Sequence, residues 1–130
     1  MNHQHLYEEL GKLLYAISNA DGEIHGKEIS SVHSIVMKDF VPYEEQTDKA
    51  SINDAFYTEF EVESLIEEDA DVENAFASFI DFLKKNAKEV NPTLKISVMA
   101  AAQHVAESYK GINRVEKYYL TKLKQELDSI

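Results

Sequence analysis

The sequence predicts an all-α protein: a compact single domain over residues 1–130, built of about six helices in two pseudo-symmetric helix–turn–helix halves. Three observations lead there. Apolar residues recur at helical spacing through most of the chain. Only four glycines and two prolines interrupt it, too few for the tight turns of an all-β fold. And "AISNADGEIHGKEISSVHSIV" is echoed by "HVAESYKGINRVEKYYLTKL". Each runs from an apolar helix end through a glycine and an isoleucine to a glutamate that opens a new helix.

Leu6, Leu10, Leu13 and Ile17, widened by Leu14, predict a first helix at about 3–20. Ile29, Val32, Ile35, Val36 and Phe40 predict a second at about 26–40. Pro42 is expected to end it, because its ring cannot continue a helix. "YEEQTDKASIN" then reads as a long loop. Over 52–68, Ile52, Phe56 and Phe60 form one stripe and Val62, Leu65 and Ile66 another, out of phase. A helix kinked near Phe60 is expected, since the strand-like alternation in "EFEVES" would have no partner strand. Phe76, Phe79, Ile80 and Leu83 mark a fourth helix at about 71–88. Asn91-Pro92 opens a fifth, with Asn as N-cap and Pro at the first helical position. Its stripe is Leu94, Val98, Ala101, Ala102, Val105 and Tyr109. A sixth at about 114–128 carries Val115, Tyr119, Leu123 and Leu127. Tyr118 and Tyr119 cannot share a face, so one of them is expected at the surface.

Composition narrows the function. The net charge of −11 repels phosphate backbones and argues against nucleic acid as a partner. It suits a basic protein or cations. The absence of cysteine excludes thiolate nucleophiles and cysteine zinc sites. No HExxH pattern, phosphate-cradling glycine loop or nucleophile elbow is present. No apolar run approaches the roughly 20 residues that span a bilayer, and no secretory signal is read at the start, so a cytoplasmic location is expected. His3, third in the chain, offers a nitrogen for square-planar copper or nickel.

The chemistry concentrates in "NADGEIHGKE". Aligned to a calcium loop with Gly22 at the sixth position, it puts Asn19 at the third, Asp21 at the fifth and Glu28 at the twelfth. The first position falls on Ile17, so the loop is not a complete EF-hand. A structural reading competes: Gly22 ends the first helix, and His25 caps the second with Glu28 three residues on. Gly111, Asn113 and Glu116 repeat that plan in the second half. Asp21, however, stands at the negative end of a helix, at a cost of about 0.3–1 kcal/mol. A divalent cation, Lys12, Lys27 or nearby backbone amides would answer it.

Ala20, Asp21, Gly22, Ile24 and Glu28, as A-D-G-x-I-x-x-x-E between two amphipathic helices of an acidic helical chain, resemble the tellurite-resistance TerB family and its TerB-like relatives. The resemblance implies an all-α domain of two pseudo-symmetric halves. It implies a non-enzymatic role in bacterial stress response through protein–protein contact, near the membrane in some members. It also implies a divalent cation (Ca, Mg or Mn) held by Asp21 and Glu28. The second half departs from the motif, with Lys110 where the aspartate would stand.

Glu59 to Glu73 holds eight acids and no basic residue. It reads either as a solvated helix face and junction, or as a docking surface for a basic partner centred on Glu67, Glu68, Asp69 and Asp71. Lys110, Arg114, Lys117, Lys122 and Lys124 gather near the other end. They are expected to face those acids, in the same molecule or in a second copy as a homodimer.

Overall fold

One helix organises the protein. In the computed structural model, which describes residues 1–20, 26–47, 49–108 and 112–130 (side chains outside 26–30 and 46–52), α1 (His3–Ser18) packs against three other long helices, α4 (Tyr57–Glu68), α5 (Val72–Lys85) and α6 (Pro92–Glu107). Its stripe of Leu6, Leu10, Leu13, Leu14 and Ile17 is fully buried, and so are Tyr7, Tyr15 and Ala16 off that stripe. A helix buried on most of its sides belongs in the middle of a bundle. Each such leucine contributes roughly 1.5–3 kcal/mol of transfer free energy. Asn2 starts the helix by accepting the backbone N–H of His5 at 2.9 Å.

Gly11 sets the spacing between α1 and α4. A Cβ there would lie 2.7 Å from Glu61 Cβ and 3.0 Å from the Thr58 carbonyl oxygen. The same contact is fastened by the Thr58 hydroxyl, which donates to the Tyr7 carbonyl at 2.8 Å.

Six helical rods are present among the described residues, and no strand. Beyond α1, the second differs from expectation. It does not stop before Pro42: α2 (Gly26–Ile35) passes through a π-helical segment, Val36–Phe40, into α3 (Val41–Thr47). In that segment the Val41 N–H reaches back to the Val36 carbonyl. The widened turn resets the register, so Pro42 falls in the first turn of a fresh helical segment, where a missing donor is tolerated. Much of the expected loop is therefore helical, as α3 and a 3₁₀ segment, Lys49–Phe56.

That 3₁₀ segment leads into α4 and explains the two stripes out of phase. The change from about 3.0 to 3.6 residues per turn rotates the buried face at Phe56–Tyr57, not at Phe60. Ala55, Thr58, Val62 and Leu65 are buried. Phe60, expected on a core stripe, is 65% exposed.

The last three rods follow the sequence closely. α5 is capped by Asp71, whose carboxylate accepts from the Asn74 N–H at 2.9 Å. α6 begins with Asn91 as N-cap and Pro92 in its first turn. Leu94, Val98, Ala101, Ala102 and Val105 are buried as expected, whereas Tyr109 lies outside the described residues. α7 (Arg114–Asp128) buries Tyr119, Leu123 and Leu127, but Val115 is exposed and Leu120 takes its place. Tyr118 is the exposed member of its pair. No described helix is long and apolar enough to cross a membrane.

Candidate functional site

The first candidate site is the C-terminal end of α1. Asp21, Gly22 and His25 lie outside the described residues, as do the side chains of Glu28 and Lys27 and, in the second half, Gly111. What is described is the platform beneath them. Asn19 ends α1, its N–H bonded to the Tyr15 carbonyl at 2.9 Å. Its side chain is buried, and Nδ2 donates to the Tyr15 hydroxyl at 3.3 Å. That hydroxyl donates in turn to the Ala70 carbonyl at 2.6 Å. Asn19 Oδ1, also buried, has no hydrogen-bond partner among the described residues. Turning the amide over does not help: the Tyr15 proton is already committed to Ala70, and an N–H would then be left over instead.

This chain of bonds joins two regions that look separate in the sequence. Through Tyr15, the end of α1 is tied to Asp69–Ala70–Asp71 between α4 and α5. Burial pushes the Tyr15 phenol up; Asn19 opposes that shift, and the Asp69 and Asp71 charges add to it. Asp69 and Asp71 thus bring negative charge near this platform. The last turn of α1 carries no basic residue. Lys12, a candidate counter-charge for Asp21, is committed elsewhere: its ammonium meets Glu9 at 2.9 Å and Ser78 at 3.1 Å.

The acidic residues at the α4–α5 junction divide by role. Asp71 is the N-cap of α5. Asp69 closes α4 in the left-handed region at φ 50°, which aspartate tolerates better than most residues. Glu67 and Glu68 are exposed on the last turn of α4, which has no basic residue to offset them. At α7 the expected capping box is present. Asn113 Oδ1 accepts the Glu116 N–H at 2.8 Å, and Glu116 Oε1 accepts the Asn113 N–H at 3.1 Å.

Two buried carboxylates were not legible as such in the sequence. Glu44, fully buried on α3, accepts from the Tyr7 hydroxyl at 2.5 Å and sits 2.8 and 2.9 Å from His3 Nδ1. The imidazole nitrogen considered for copper is thus engaged with a carboxylate. Burial, then the Glu44 bond and charge, pushes the Tyr7 phenol far up, so it remains a donor. Glu9 on α1 accepts from Lys12 and from Ser78. Both carboxylates bind helices to one another: α1 to α3, and α1 to α5.

Glu61 is the strained member of this polar set. Burial pushes its carboxyl up against the pull of Lys12, and Glu8, Glu68 and Glu9 add to the rise. A carboxylate whose folded pKa lies above its unfolded value contributes stability at low pH, and that contribution is lost as pH rises through the folded value. Glu61→Gln is therefore expected to melt higher than the wild type at neutral pH. The gap should close as pH falls through the carboxylate range, and thermal melts across pH check it.

Among the described residues, no group of three or more His, Asp or Glu side chains converges as a metal cage. Compared with known proteins, the chain matches no family model, no curated protein and no solved structure.

Proposed function

We propose that this chain is a non-enzymatic, TerB-like helical module of bacterial stress response that acts by protein–protein contact, with a weak divalent cation site at the α1–α2 connection. The observation that carries the reading is the buried Oδ1 of Asn19, unpartnered among the described residues. A buried acceptor left unpaired costs about 1–3 kcal/mol. This one sits at a helix C-terminus without a basic residue, above the Asp69–Asp71 junction and two residues before Asp21. One oxygen-preferring cation, Ca²⁺, Mg²⁺ or Mn²⁺, would satisfy all of these groups, with Asp21 and Glu28 as its carboxylates. The interaction surface of this reading is the acidic end of α4 and its junction: Glu67, Glu68, Asp69 and Asp71. A basic or membrane-associated protein suits it. The structural engagement of Glu9 and Glu44 favours a scaffold over carboxylate catalysis.

Thermal melts in Ca²⁺, Mg²⁺, Mn²⁺ and Zn²⁺ test the cation site. At least one of the first three is expected to raise the melting temperature, and Asp21→Asn and Asn19→Ala to abolish the shift. Saturation at 100 times Kd corresponds to about 2.7 kcal/mol. A flat response in all four metals removes the cation from the proposal. A cation-sensing domain is the second reading, favoured by the position of Asn19 at the end of the central helix. It requires a metal-dependent change in helicity or radius, which the scaffold reading does not.

A further inference from the structure

Among the described residues, no ion pair joins the basic side chains near the C-terminus to the acidic segment. Arg114 and Lys117 form no ion pair with the described residues, Lys124 pairs with Asp128 on its own helix at 3.2 Å, and Lys84 meets Glu126 at 3.3 Å. What they build is an outward stripe on α7. Arg114, Lys117, Tyr118, Thr121, Lys122 and Gln125, at helical spacing, line a shallow hollow of about 510 Å³ with no carboxylate in its wall. Tyr118 is 58% exposed, and the Lys122 ammonium lies over its ring at 5.9 Å. In a chain of net charge −11, this is a concentrated positive face with an aromatic floor.

α4 presents the counterpart. Its outward stripe carries Tyr57 and Phe60, edge to face at 6.3 Å, followed by exposed Glu63 and Glu67, neither of which has an ion pair among the described residues. One stripe offers cations beside an aromatic ring, the other anions beside two. Cation–π contact and charge pairing then act together across a helix–helix face. The net charge on each copy opposes approach. At physiological salt, charges further apart than about 8 Å are largely screened, so the local complement decides.

We propose that the α7 stripe of one molecule docks on the α4 stripe of a second copy. The contact joins two different surfaces and is heterologous, so a dimer keeps one unused face of each kind, one on each molecule, and association continues beyond the dimer unless a ring closes. The inference rests on the interaction-module reading and names one partner for it. It is independent of the cation: a protein that binds metal but stays monomeric contradicts the docking alone.

Sedimentation velocity of the full chain over a concentration series at physiological salt is the test. The weight-average sedimentation coefficient is expected to rise with concentration in the wild type. Lys117→Gln with Lys122→Gln, and separately Glu63→Gln with Glu67→Gln, should each leave a monomer, since all four side chains are exposed and their loss spares the core. Mixing the two variants should restore association, but only to a 1:1 dimer, because one functional stripe survives on each. A wild type that stays monomeric, or association indifferent to these substitutions, or a mixture that does not pair, overturns the proposal. A monomeric wild type that binds anionic vesicles or RNA through Lys117 and Lys122 would reassign the stripe to a polyanion.

Discussion

Glu44→Ala is expected to lower stability by about 3–5 kcal/mol, the range for breaking a buried charged network by removing one partner. Glu44 is fully buried, and the Tyr7 hydroxyl donates to it at 2.5 Å from inside the core. Without the carboxylate that hydroxyl has lost its acceptor, His3 has lost its anchor, and a cavity opens between α1 and α3. Tyr7→Phe removes one donor and should cost less, about 1.5–3 kcal/mol, the range for a hydrogen bond to a charged group. Because the two residues act as one unit, the double variant should lose clearly less than the sum. Denaturant unfolding of the four proteins measures that coupling. Additive losses would mean that the bond does not matter to folding.

Gly11→Ala is expected to destabilise although alanine is the better helix former. The propensity gain is about 1 kcal/mol. Against it stands overpacking of about 1–3 kcal/mol, and more where nothing can yield. Here little can: the new methyl would face Glu61 Cβ at 2.7 Å and the Thr58 carbonyl at 3.0 Å, atoms that no rotamer change moves. The helices must separate, which opens packing around Leu10 and Val62. A net loss of about 1–2 kcal/mol should appear as a fall of roughly 3–8 °C in melting temperature. Gly11→Leu should abolish cooperative unfolding. Adding Glu61→Gly to Gly11→Ala should recover part of the loss, because it removes the nearest clashing atom. An unchanged or raised melting temperature for Gly11→Ala would show that α1 and α4 are not held this closely.

Fold class was readable because apolar spacing and capping chemistry are local. Asn91-Pro92 and Asn113 with Glu116 act where the sequence placed them, since a cap depends on residues within one turn. The errors came where distant residues decide. Pro42 forecast a stop, but the π-helical turn before it absorbs the proline, and Tyr43 and Glu44 gain burial against α1 and α6. Polar composition hid α3, because a glutamate satisfied by a tyrosine 37 positions away looks like a solvated one. Phe60 fitted a helical period but lies on the outer face, since the 3₁₀ segment before α4 turns the register. At the candidate site, Asn19 was visible as a loop residue. Its burial, and the tie through Tyr15 to Ala70, depend on how α1 packs against the α4–α5 junction, which no local pattern carries.

The central claim is that a divalent cation answers the Oδ1 of Asn19, unpaired among the described residues, at the end of α1. Paramagnetic broadening by substoichiometric Mn²⁺ in ¹H–¹⁵N spectra tests it directly. The Asn19 side-chain amide and the backbone amides of Ala20, Ala70 and Asp71 are expected to broaden first, and Ca²⁺ or Mg²⁺ to restore them by competition. Broadening confined to the Glu63–Glu67 face of α4, or spread evenly over the acidic surface, would contradict the claim.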